Sequence, residues 1–247
     1  MSESTGIIIE SKEQLLSWLA EAAELEHNLL CTYLYAIFSL KKSKAEGISD
    51  QELRAIEKWR RVILGIALEE MTHLTLVSNL ISSIGGTAHF HRPNLPLDPG
   101  FHPSDIVVEL AQFNLDTLQH FIFLERPVDT EVPDGESFIR HAKNYTREAP
   151  AEERLMPHNA DYPSVGELYG AIRTAIESLC GQNEKDFFCG SPTLQVSPTE
   201  ATIKGMIAVV DKKSAIQALD TIVTQGEGST VKDGSHFERF SQIKEEY

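Results

Sequence analysis

The chain has 247 residues, of which 41% are hydrophobic and 24% are charged, and its formal net charge is -15. This length and apolar content are sufficient for a substantial core, and they exclude a globally disordered chain. The negative charge argues against nucleic acid and anionic membranes as partners, and no apolar run reaches the roughly 18 residues of a membrane span.

The cysteine content and the amino-terminal residues bear on the compartment. The three cysteines form no CxxC motif, and their odd number argues against a disulfide scaffold. The first residues lack the charged and apolar regions of a signal peptide. We therefore expect a soluble, cytoplasmic protein. No internal repeat or linker divides the sequence, so residues 1–247 are predicted to form a single domain.

Two long helices are predicted at the start of the chain. Residues 11–14 have the sequence of a capping box, and apolar residues then recur at helical spacing from Leu15 to Ile37. Gly47 is predicted to end this helix or its fraying last turn. A second capping box at residues 49–52 begins a helix that continues to Gly85. Because the connection is short, the two helices are predicted to form an antiparallel hairpin.

The rest of the sequence alternates helices with irregular segments. Helices are predicted from Ser104 or Asp105 to Glu125, from Ser164 to Leu179, from Asp211 to Val223 and from Ser235 to Glu246. A short helix is predicted near residues 136–145 and a strand at residues 207–210. Residues 87–104, 128–163 and 181–210 are predicted to be mainly irregular. The predicted fold class is all-α, a helical bundle with long irregular excursions.

The strongest local signal for chemistry is the pair formed by Glu70 and His73 on the second helix. A spacing of three residues lets a carboxylate and an imidazole reach one metal ion or two adjacent ions. Both residues lie on the apolar face, where a charged carboxylate needs a compensating cation. The pair therefore predicts a metal site. The alternative is a salt bridge to a basic residue such as Arg60 or Arg61, but these lie at least two turns away.

Glu26 is the matching carboxylate on the first helix. It lies as far before Gly47 as Glu70 lies after Ser49. Since the rise per residue of a helix is constant, an antiparallel hairpin brings the two carboxylates to the same height. Glu26 also lies on the apolar face of its helix, so the spacing predicts that it shares the metal site with Glu70.

A two-metal bundle site takes further carboxylates and a second Glu-x-x-His pair. Glu227 and His236 would have this spacing if residues 229–234 were an insertion in a broken helix. The alternative is a glycine-rich helix end with an exposed glutamate. Asp116 and His120, four residues apart, can also reach one ion, but ordinary polar positions are the favoured interpretation of both.

Two other carboxylates are candidates for the remaining ligand. Glu125 ends the third predicted helix next to Arg126, so it is either a metal ligand or an ion-pair partner. Glu167 stands at the third position of a capping box that begins at Ser164, and this structural role already accounts for it. From the residues alone, both alternatives stay open.

A series of motifs runs in order along nearly the whole chain. They are Glu24-Leu-Glu26-His27, Tyr33-Leu-Tyr35, Glu69-Glu-Met-Thr-His73-Leu, Asn79-Leu-Ile, Gly85-Gly, Glu125-Arg-Pro, Gly166-Glu167-Leu-Tyr169, Gln225-Gly-Glu227-Gly and His236-Phe-Glu-Arg-Phe240. The series resembles the ferritin-like domain family related to the violacein- and rebeccamycin-type imino-acid dimer synthases. This resemblance implies that the helical bundle is a ferritin-like one.

The resemblance also implies a set of metal ligands. The positions that recur in the family are present here as Glu26, Glu70, His73, Glu125, Glu167, Glu227 and His236. It favours a ligand role for Glu167, Glu227 and His236, which spacing alone does not. The implied cofactor is iron, as two ions, although manganese and zinc take the same ligands.

The function implied by the resemblance is that of a non-haem metal oxidase or oxygenase. It would act with dioxygen on a small molecule, for instance one derived from an amino acid. Tyr33 or Tyr169 would line the pocket or donate protons, with ordinary packing as the alternative for each. The alternative function is a metal-binding structural or storage module without catalysis.

The pigment enzymes of this family carry the domain within a much longer chain and work with a partner oxidase. The present chain is expected to be a free-standing member. A homodimer and a complex with a partner oxidase are the open alternatives for its assembly. Neither nucleic acid nor a membrane is expected as a partner.

Overall fold

Seven helices account for most of the regular structure in the part of the chain that the computed structural model describes. The described residues are 6–92, 94–97, 106–128, 130–139, 160, 162–181, 183–201, 203–226 and 234–247. The helices are α1 (Lys12–Ser39), α2 (Asp50–Ser83), α3 (Leu115–Leu124), α4 (Val165–Leu179), α5 (Glu184–Phe187), α6 (Lys212–Gly226) and α7 (His236–Glu246). Short 3₁₀ turns lie at Lys44–Glu46 and Pro192–Leu194.

Four of these helices pack in a ring. Helix α1 contacts α2 and α4, and α6 contacts the same two helices from the opposite side. Helix α7 packs against α2, α3 and α6, so that α3 and α7 lie together beside the ring. The all-α bundle expected from the sequence is confirmed. No helix within the described ranges is long and apolar enough to cross a membrane.

The predicted starts of the first two helices are confirmed. The hydroxyl of Ser11 accepts a hydrogen bond from the backbone N–H of Gln14 at 3.2 Å, which satisfies one of the free amides at the start of α1. Ser49 and Glu52 form a complete capping box, in which each side chain accepts from the backbone of the other. These caps set the residues at which α1 and α2 begin.

The first helix ends earlier than predicted. It stops at Ser39 rather than near Gly47, which instead takes a left-handed conformation (φ 78°) after the short 3₁₀ turn. The guanidinium group of Arg60 on α2 donates hydrogen bonds to carbonyls at this end, those of Ile37, Leu40 and Lys41. Arg60 thus binds carbonyls that a further turn of α1 would otherwise bind. The apolar periodicity along α1 could not reveal this contact between helices.

The third helix is also shorter than predicted. It begins at Leu115, because the side chain of Asn114 caps it by accepting from Thr117 N–H at 2.9 Å. Before it, Val108 forms an isolated antiparallel bridge with Leu97. The predicted start at Ser104 or Asp105 lies outside the described residues, as does most of the predicted short helix near residues 136–145.

The predicted strand at residues 207–210 is wrong, since these described residues form no strand. Side chains form hydrogen bonds with the backbone groups that a neighbouring strand would otherwise bind. Asn79 on α2 donates to the carbonyls of Val196 and Ile207, both at 2.8 Å. Gln195 donates to the carbonyl of Val209 and accepts from its N–H, both at 2.7 Å.

The later helices agree closely with those predicted from the sequence. Helix α4 begins at Val165 after the cap Ser164, and α7 begins at His236 after the cap Ser235, as predicted. Helix α6 runs three residues beyond the predicted end at Val223, to Gly226. Helices α6 and α7 are separate, which agrees with the predicted break, although residues 227–233 between them lie outside the described part.

Replacing Asn79 by alanine should destabilise the protein strongly without touching the candidate site. The side chain is buried, donates two hydrogen bonds and accepts a third from Val196 N–H at 2.9 Å. Because its loss leaves backbone groups unpaired, we expect the free energy of unfolding to fall by about 3 kcal/mol. Urea unfolding followed by circular dichroism measures this. The exposed Thr174→Ala variant on α4 should change stability by less than about 0.5 kcal/mol, and an equal loss in both variants would contradict the assignment.

Candidate metal centre

Five buried polar side chains converge from four helices. They are Glu26 on α1, Glu70 and His73 on α2, Glu125 at the end of α3 and His236 at the start of α7. None is more than 6% exposed. Such a concentration of buried carboxylates is costly unless cations compensate it. The site therefore needs positive charge from within.

The five side chains form two groups that share one residue. Glu26, Glu70 and His73 make up the Glu26 cluster, and Glu70, Glu125 and His236 make up the Glu125 cluster. In each cluster, the three possible ligand atoms lie within 4.8 Å of one another. Each cluster thus offers one imidazole and two carboxylates, a ligand set suited to iron, manganese or zinc.

Glu70 directs one carboxylate oxygen into each cluster. Its Oε2 lies 3.4 Å from His73 Nδ1, and its Oε1 lies 2.8 Å from His236 Nδ1. His73 Nδ1 is also 3.4 Å from Glu26 Oε2, and His236 Nδ1 is 3.5 Å from Glu125 Oε1. Glu70 is therefore placed to bridge two neighbouring cations.

Both imidazoles are held by their outer nitrogen. His73 Nε2 lies 2.8 Å from the amide oxygen of Gln225, and His236 Nε2 lies 2.9 Å from Glu69 Oε2. Because both of these oxygens accept hydrogen bonds, each Nε2 carries the proton. In the neutral ring, Nδ1 is then left with a lone pair that faces the carboxylates.

The hydrogen bonding around the clusters fits a bound cation. Glu70 Oε2 and His236 Nδ1 are buried and make no hydrogen bond within the described part of the chain. His236 Nδ1 approaches Glu70 Oε1 at 2.8 Å, yet the contact lacks the geometry of a hydrogen bond. When the imidazole is neutral, its lone pair faces that of Glu70 across this gap, an arrangement that a metal ion stabilises.

The carboxylates in the two clusters differ in pKa. Burial and the neighbouring charge of Glu70 raise the pKa of Glu26 to about 8. Burial acts in the same direction on Glu70, but the charges of His236 and His73 outweigh it and hold the pKa of Glu70 well below its usual range. Glu70 is thus ionised at neutral pH and lies between the two positions.

The imidazoles take up protons in the metal-free protein. Burial alone would lower the pKa of His73, but the carboxylates of Glu70 and Glu26 raise it to about 10. In the same way, Glu125 and Glu70 outweigh burial and raise the pKa of His236 well above its usual value. Protons therefore occupy the positions where metal ions would otherwise supply the positive charge.

Two tyrosines contact the carboxylates from outside the clusters. Tyr33 donates its hydroxyl hydrogen to Glu125 Oε1, and Tyr169 donates to Glu26 Oε1. Burial, with the neighbouring carboxylates, raises the pKa of both tyrosines well above the usual value. Both hydroxyls accordingly stay protonated and fix one oxygen of each carboxylate. Packing alone, the alternative considered from the sequence, leaves these hydrogen bonds unexplained.

Glu69 and Arg239 connect α7 to α2 next to the site. Arg239 donates to the same carboxylate oxygen of Glu69 that accepts from His236. Arg239 and His236 are three residues apart, on one face of α7, whereas Glu69 precedes Glu70 on α2. His236 consequently contacts two consecutive glutamates, one with each ring nitrogen.

A small cavity adjoins the two clusters. Its volume of about 20 Å³ is enough for about one water molecule. Besides the acidic residues, its lining includes the apolar residues Leu29, Val165, Ile222 and Val223 and the glycines Gly166 and Gly226. The open side of the site therefore faces the start of α4 and the end of α6, and it is mainly apolar.

Two predicted ligands are not brought into either cluster. Glu167 is exposed on the first turn of α4, where its backbone N–H donates to the Ser164 hydroxyl at 3.3 Å. In the described structure, Glu167 therefore lies at a helix-capping position and not in either cluster. Glu227 lies outside the described residues. A ligand role for Glu167 and Glu227 stays a prediction.

Asp116 and His120 do not form a metal cluster within the described part of the chain. Asp116 instead accepts from the backbone N–H of Ser137 at 3.2 Å, and His120 Nδ1 lies 2.7 Å from Asp134 Oδ1. His120 also stacks on Phe138, with ring centroids 3.9 Å apart. These contacts hold the segment after α3 against that helix.

Sequence reasoning missed Glu69, Gln225 and Arg239 as partners of the site. Each stands in a motif that contains or adjoins a predicted ligand, but spacing along one helix cannot identify a contact between helices. Arg239 offered one usable signal, because a basic residue three positions after His236 lies on the same helical face. Gln225 offered none.

Comparison with known proteins establishes the class. The model of the family described as ferritin-like matches residues 19–245. Since this match covers nearly the whole chain, the chain belongs to the ferritin-like family. A ferritin-like protein from Caulobacter vibrioides has a similar structure, with a TM-score of 0.62 and 22% identity over 96% of this chain and 74% of the other. That similarity supports the fold.

Two curated enzymes are similar in sequence. Dichlorochromopyrrolate synthase from Lentzea aerocolonigenes is 26% identical over 97% of this chain and 25% of its own length. The 2-imino-3-(indol-3-yl)propanoate dimerase from Chromobacterium violaceum is 26% identical over 96% of this chain and 23% of its own length. The chain therefore spans about a quarter of each of these relatives, and the expected resemblance to the imino-acid dimer synthases is confirmed.

Proposed function

We propose that the chain binds two metal ions, iron in each position, and acts as a non-haem oxidoreductase on a small molecule. The observation that supports this most strongly is Glu70, whose two carboxylate oxygens lie in two adjacent clusters. Ferritin-like di-iron and di-manganese proteins build their sites from carboxylates and histidines on facing bundle helices. The proposed ligands are Glu26, Glu70, His73, Glu125 and His236.

When bound in such a site, iron supplies redox chemistry with dioxygen, which carboxylate and imidazole ligands permit. The side chains of this protein provide the conditions for that chemistry. Glu70 holds the two positions together, and the hydrogen bonds of Tyr33 and Tyr169 fix the other carboxylates. The apolar side chains Leu29 and Ile222 beside the site limit the access of bulk water.

The proposed substrate is a small molecule derived from an amino acid, and dioxygen is the proposed oxidant. Support for the substrate class comes from the names of the relatives, one of which is a dimerase of an indole-bearing imino acid. Because the chain spans only about a quarter of those enzymes, their dimerisation reaction is not part of the proposal. The cavity of about 20 Å³ is too small for an indole, so a substrate of that size would require the site to open.

Iron loading tests the proposed function directly. Metal-free protein loaded anaerobically with Fe(II) should bind about two ions per chain, show a Mössbauer signature of a coupled iron pair and consume dioxygen faster than the same iron free in solution. Elemental analysis of the purified protein identifies the metal acquired during expression. If loaded protein takes up no more dioxygen than free iron and has no coupled-pair signature, the proposal is wrong.

A structural or storage role predicts a different pattern. In that case the metal would raise the melting temperature, while no substrate would accelerate dioxygen consumption. A storage cage would also appear as a large assembly in light scattering, whereas the enzyme proposal is compatible with a monomer, a homodimer or a complex with a partner oxidase. Thermal shift and light scattering on the loaded protein separate these roles.

A further inference from the structure

The two clusters are closely similar in the groups that face the metal positions. Each contains one oxygen of Glu70, one further glutamate and one histidine that points Nδ1 inward. Each further glutamate also accepts a hydrogen bond from a buried tyrosine, Tyr169 or Tyr33. These groups carry the same charges in both positions, although Tyr33 donates to the oxygen of Glu125 that faces His236, whereas Tyr169 donates to the oxygen of Glu26 that does not face His73.

The difference lies behind the histidines. In the Glu26 cluster, His73 donates its Nε2 hydrogen to a neutral amide, the side chain of Gln225, at 2.8 Å. In the Glu125 cluster, His236 donates to a carboxylate, that of Glu69, at 2.9 Å. The two acceptors have similar size and distance but different charge.

A charged acceptor changes the imidazole as a ligand. A carboxylate that accepts from one ring nitrogen draws the proton towards itself and makes the other nitrogen a stronger donor to a metal. It also fixes the tautomer and the orientation of the ring more firmly than a neutral amide does, because charge-assisted hydrogen bonds are stronger. His236 should therefore be the better ligand of the two histidines.

Arg239 keeps Glu69 in place for this role. It donates to the oxygen of Glu69 that contacts His236, and its side chain is largely buried, with 12% exposed. Because α7 carries both His236 and Arg239, the helix contacts Glu69 through two residues on one face. Rotation of Glu69 away from the imidazole would break both contacts.

We infer that the two metal positions are inequivalent, and that Glu69 acts as a positioning residue which makes the Glu125 cluster the tighter binding position. The inference rests on the proposed two-metal site. The first ion should therefore bind at the Glu125 cluster, although Glu69 itself belongs to neither cluster.

Stepwise metal binding tests the inference. Anaerobic calorimetric titration of the metal-free full-length chain with Mn(II) should give two binding constants that differ by about tenfold or more. Glu69→Gln keeps the shape of the side chain but removes its charge. It should weaken the tighter constant by about 10- to 100-fold and leave the weaker one unchanged.

The reciprocal variant provides the matched control. Gln225→Glu gives His73 a charged acceptor and should strengthen the weaker constant, so that the two constants become similar. The electron paramagnetic resonance spectrum after addition of one Mn(II) per chain gives an independent readout. Wild-type protein should show mainly isolated ions. Glu69→Gln should show a mixture that includes coupled pairs, because the two positions then have similar affinities and some chains bind two ions while others bind none.

The titration distinguishes the inequivalence of the two positions from the existence of the two-metal site. Two equal constants in the wild-type protein, or a Glu69→Gln effect on both constants alike, would overturn the inference while the two-metal site stands. An equal loss at both positions with a lower melting temperature of the metal-free variant would mean that Glu69 only holds α7 to α2. Absence of any Mn(II), Fe(II) or Zn(II) binding would overturn both.

Discussion

Glu70→Gln should abolish the binding of both metal ions. Glutamine preserves the size of the side chain but lacks the charge that both clusters share through Glu70. We expect the affinity at each position to fall by more than about 100-fold, which exceeds the usual cost of losing only an outer partner of a ligand. Metal analysis after anaerobic loading and desalting should find almost no bound ion.

Two further variants each remove a carboxylate that belongs to only one cluster, and they serve as controls for Glu70→Gln. Glu26→Gln and Glu125→Gln each change a residue that belongs to a single cluster. Each should therefore retain about one ion per chain, with the coupled-pair signature lost. If Glu70→Gln also retained one ion, Glu70 would belong to one position and the bridging assignment would be false.

The same substitution bears on the stability of the metal-free protein. Glu70 is the ionised group that faces both His73 and His236, and the pKa of each histidine is raised by it. Removing one partner of a buried ion pair commonly costs about 3–5 kcal/mol. Circular dichroism at low temperature must consequently show that Glu70→Gln is folded before its metal content is interpreted.

The part of the site that lies on one hairpin could be predicted from the sequence. Glu70 and His73 are three residues apart on a helix, and Glu26 is related to them by the register of a short connection. Periodicity and constant helical rise carry this information directly. The structure brings these three residues together in the Glu26 cluster.

The other half of the site depends on contacts between elements that are distant in sequence. Glu125 follows the short helix α3, and its sequence context left a metal ligand and an ion pair equally open. The structure places it beside His236, more than 100 residues away in the chain. No local pattern specifies such a contact. The resemblance to a known family favoured a ligand role for His236, whereas spacing alone favoured a glycine-rich helix end with an exposed Glu227.

The errors in the fold have a similar cause. The predicted extension of α1 towards Gly47 and the predicted strand at residues 207–210 were both inferred from local patterns. In the structure, Arg60 and Asn79 on α2 donate hydrogen bonds to backbone carbonyl groups of these two segments. Side chains that satisfy the backbone of a distant segment override local propensity, because a buried backbone group needs only one good partner.

Metal affinity should depend steeply on pH, because metal ions and protons compete for the same atoms. In the metal-free protein, the pKa of Glu26 is raised to about 8 by burial and Glu70, and the pKa of His73 is raised to about 10. The pKa of His236 is also well above its usual value. At neutral pH all three groups hold protons that must leave when metal binds.

The sign of the effect follows from these raised values. Each displaced proton makes the apparent affinity rise by about tenfold per pH unit while the pH is below the folded pKa of its group. Affinity for Mn(II) should therefore increase from about pH 6 to about pH 8, and the slope should decrease by about one proton above the pKa of Glu26. Calorimetry in buffers of different ionisation enthalpy counts the released protons.

Metal-free stability should change in the opposite direction over the same range. A raised folded pKa gives a contribution that is complete below the unfolded pKa and is lost as the pH rises through the folded one. For His73 this window runs from its ordinary pKa of 6.5 to about 10, and for Glu26 it runs from 4.5 to about 8. The increase in melting temperature on adding Mn(II) should accordingly grow with pH.

Glu26→Gln is the variant that tests whether Glu26 is the group with the pKa of about 8. Glutamine has no proton to release, so below about pH 8 the binding of Mn(II) at the weakened Glu26 position, titrated with excess metal, should release about one proton fewer than in the wild-type protein. The pH slope of this step should be shallower. Above that pH the slopes should coincide, although the variant binds more weakly throughout. An unchanged slope in Glu26→Gln would show that the proton comes from another group, and a pH-independent affinity would show that metal ions bind away from these clusters.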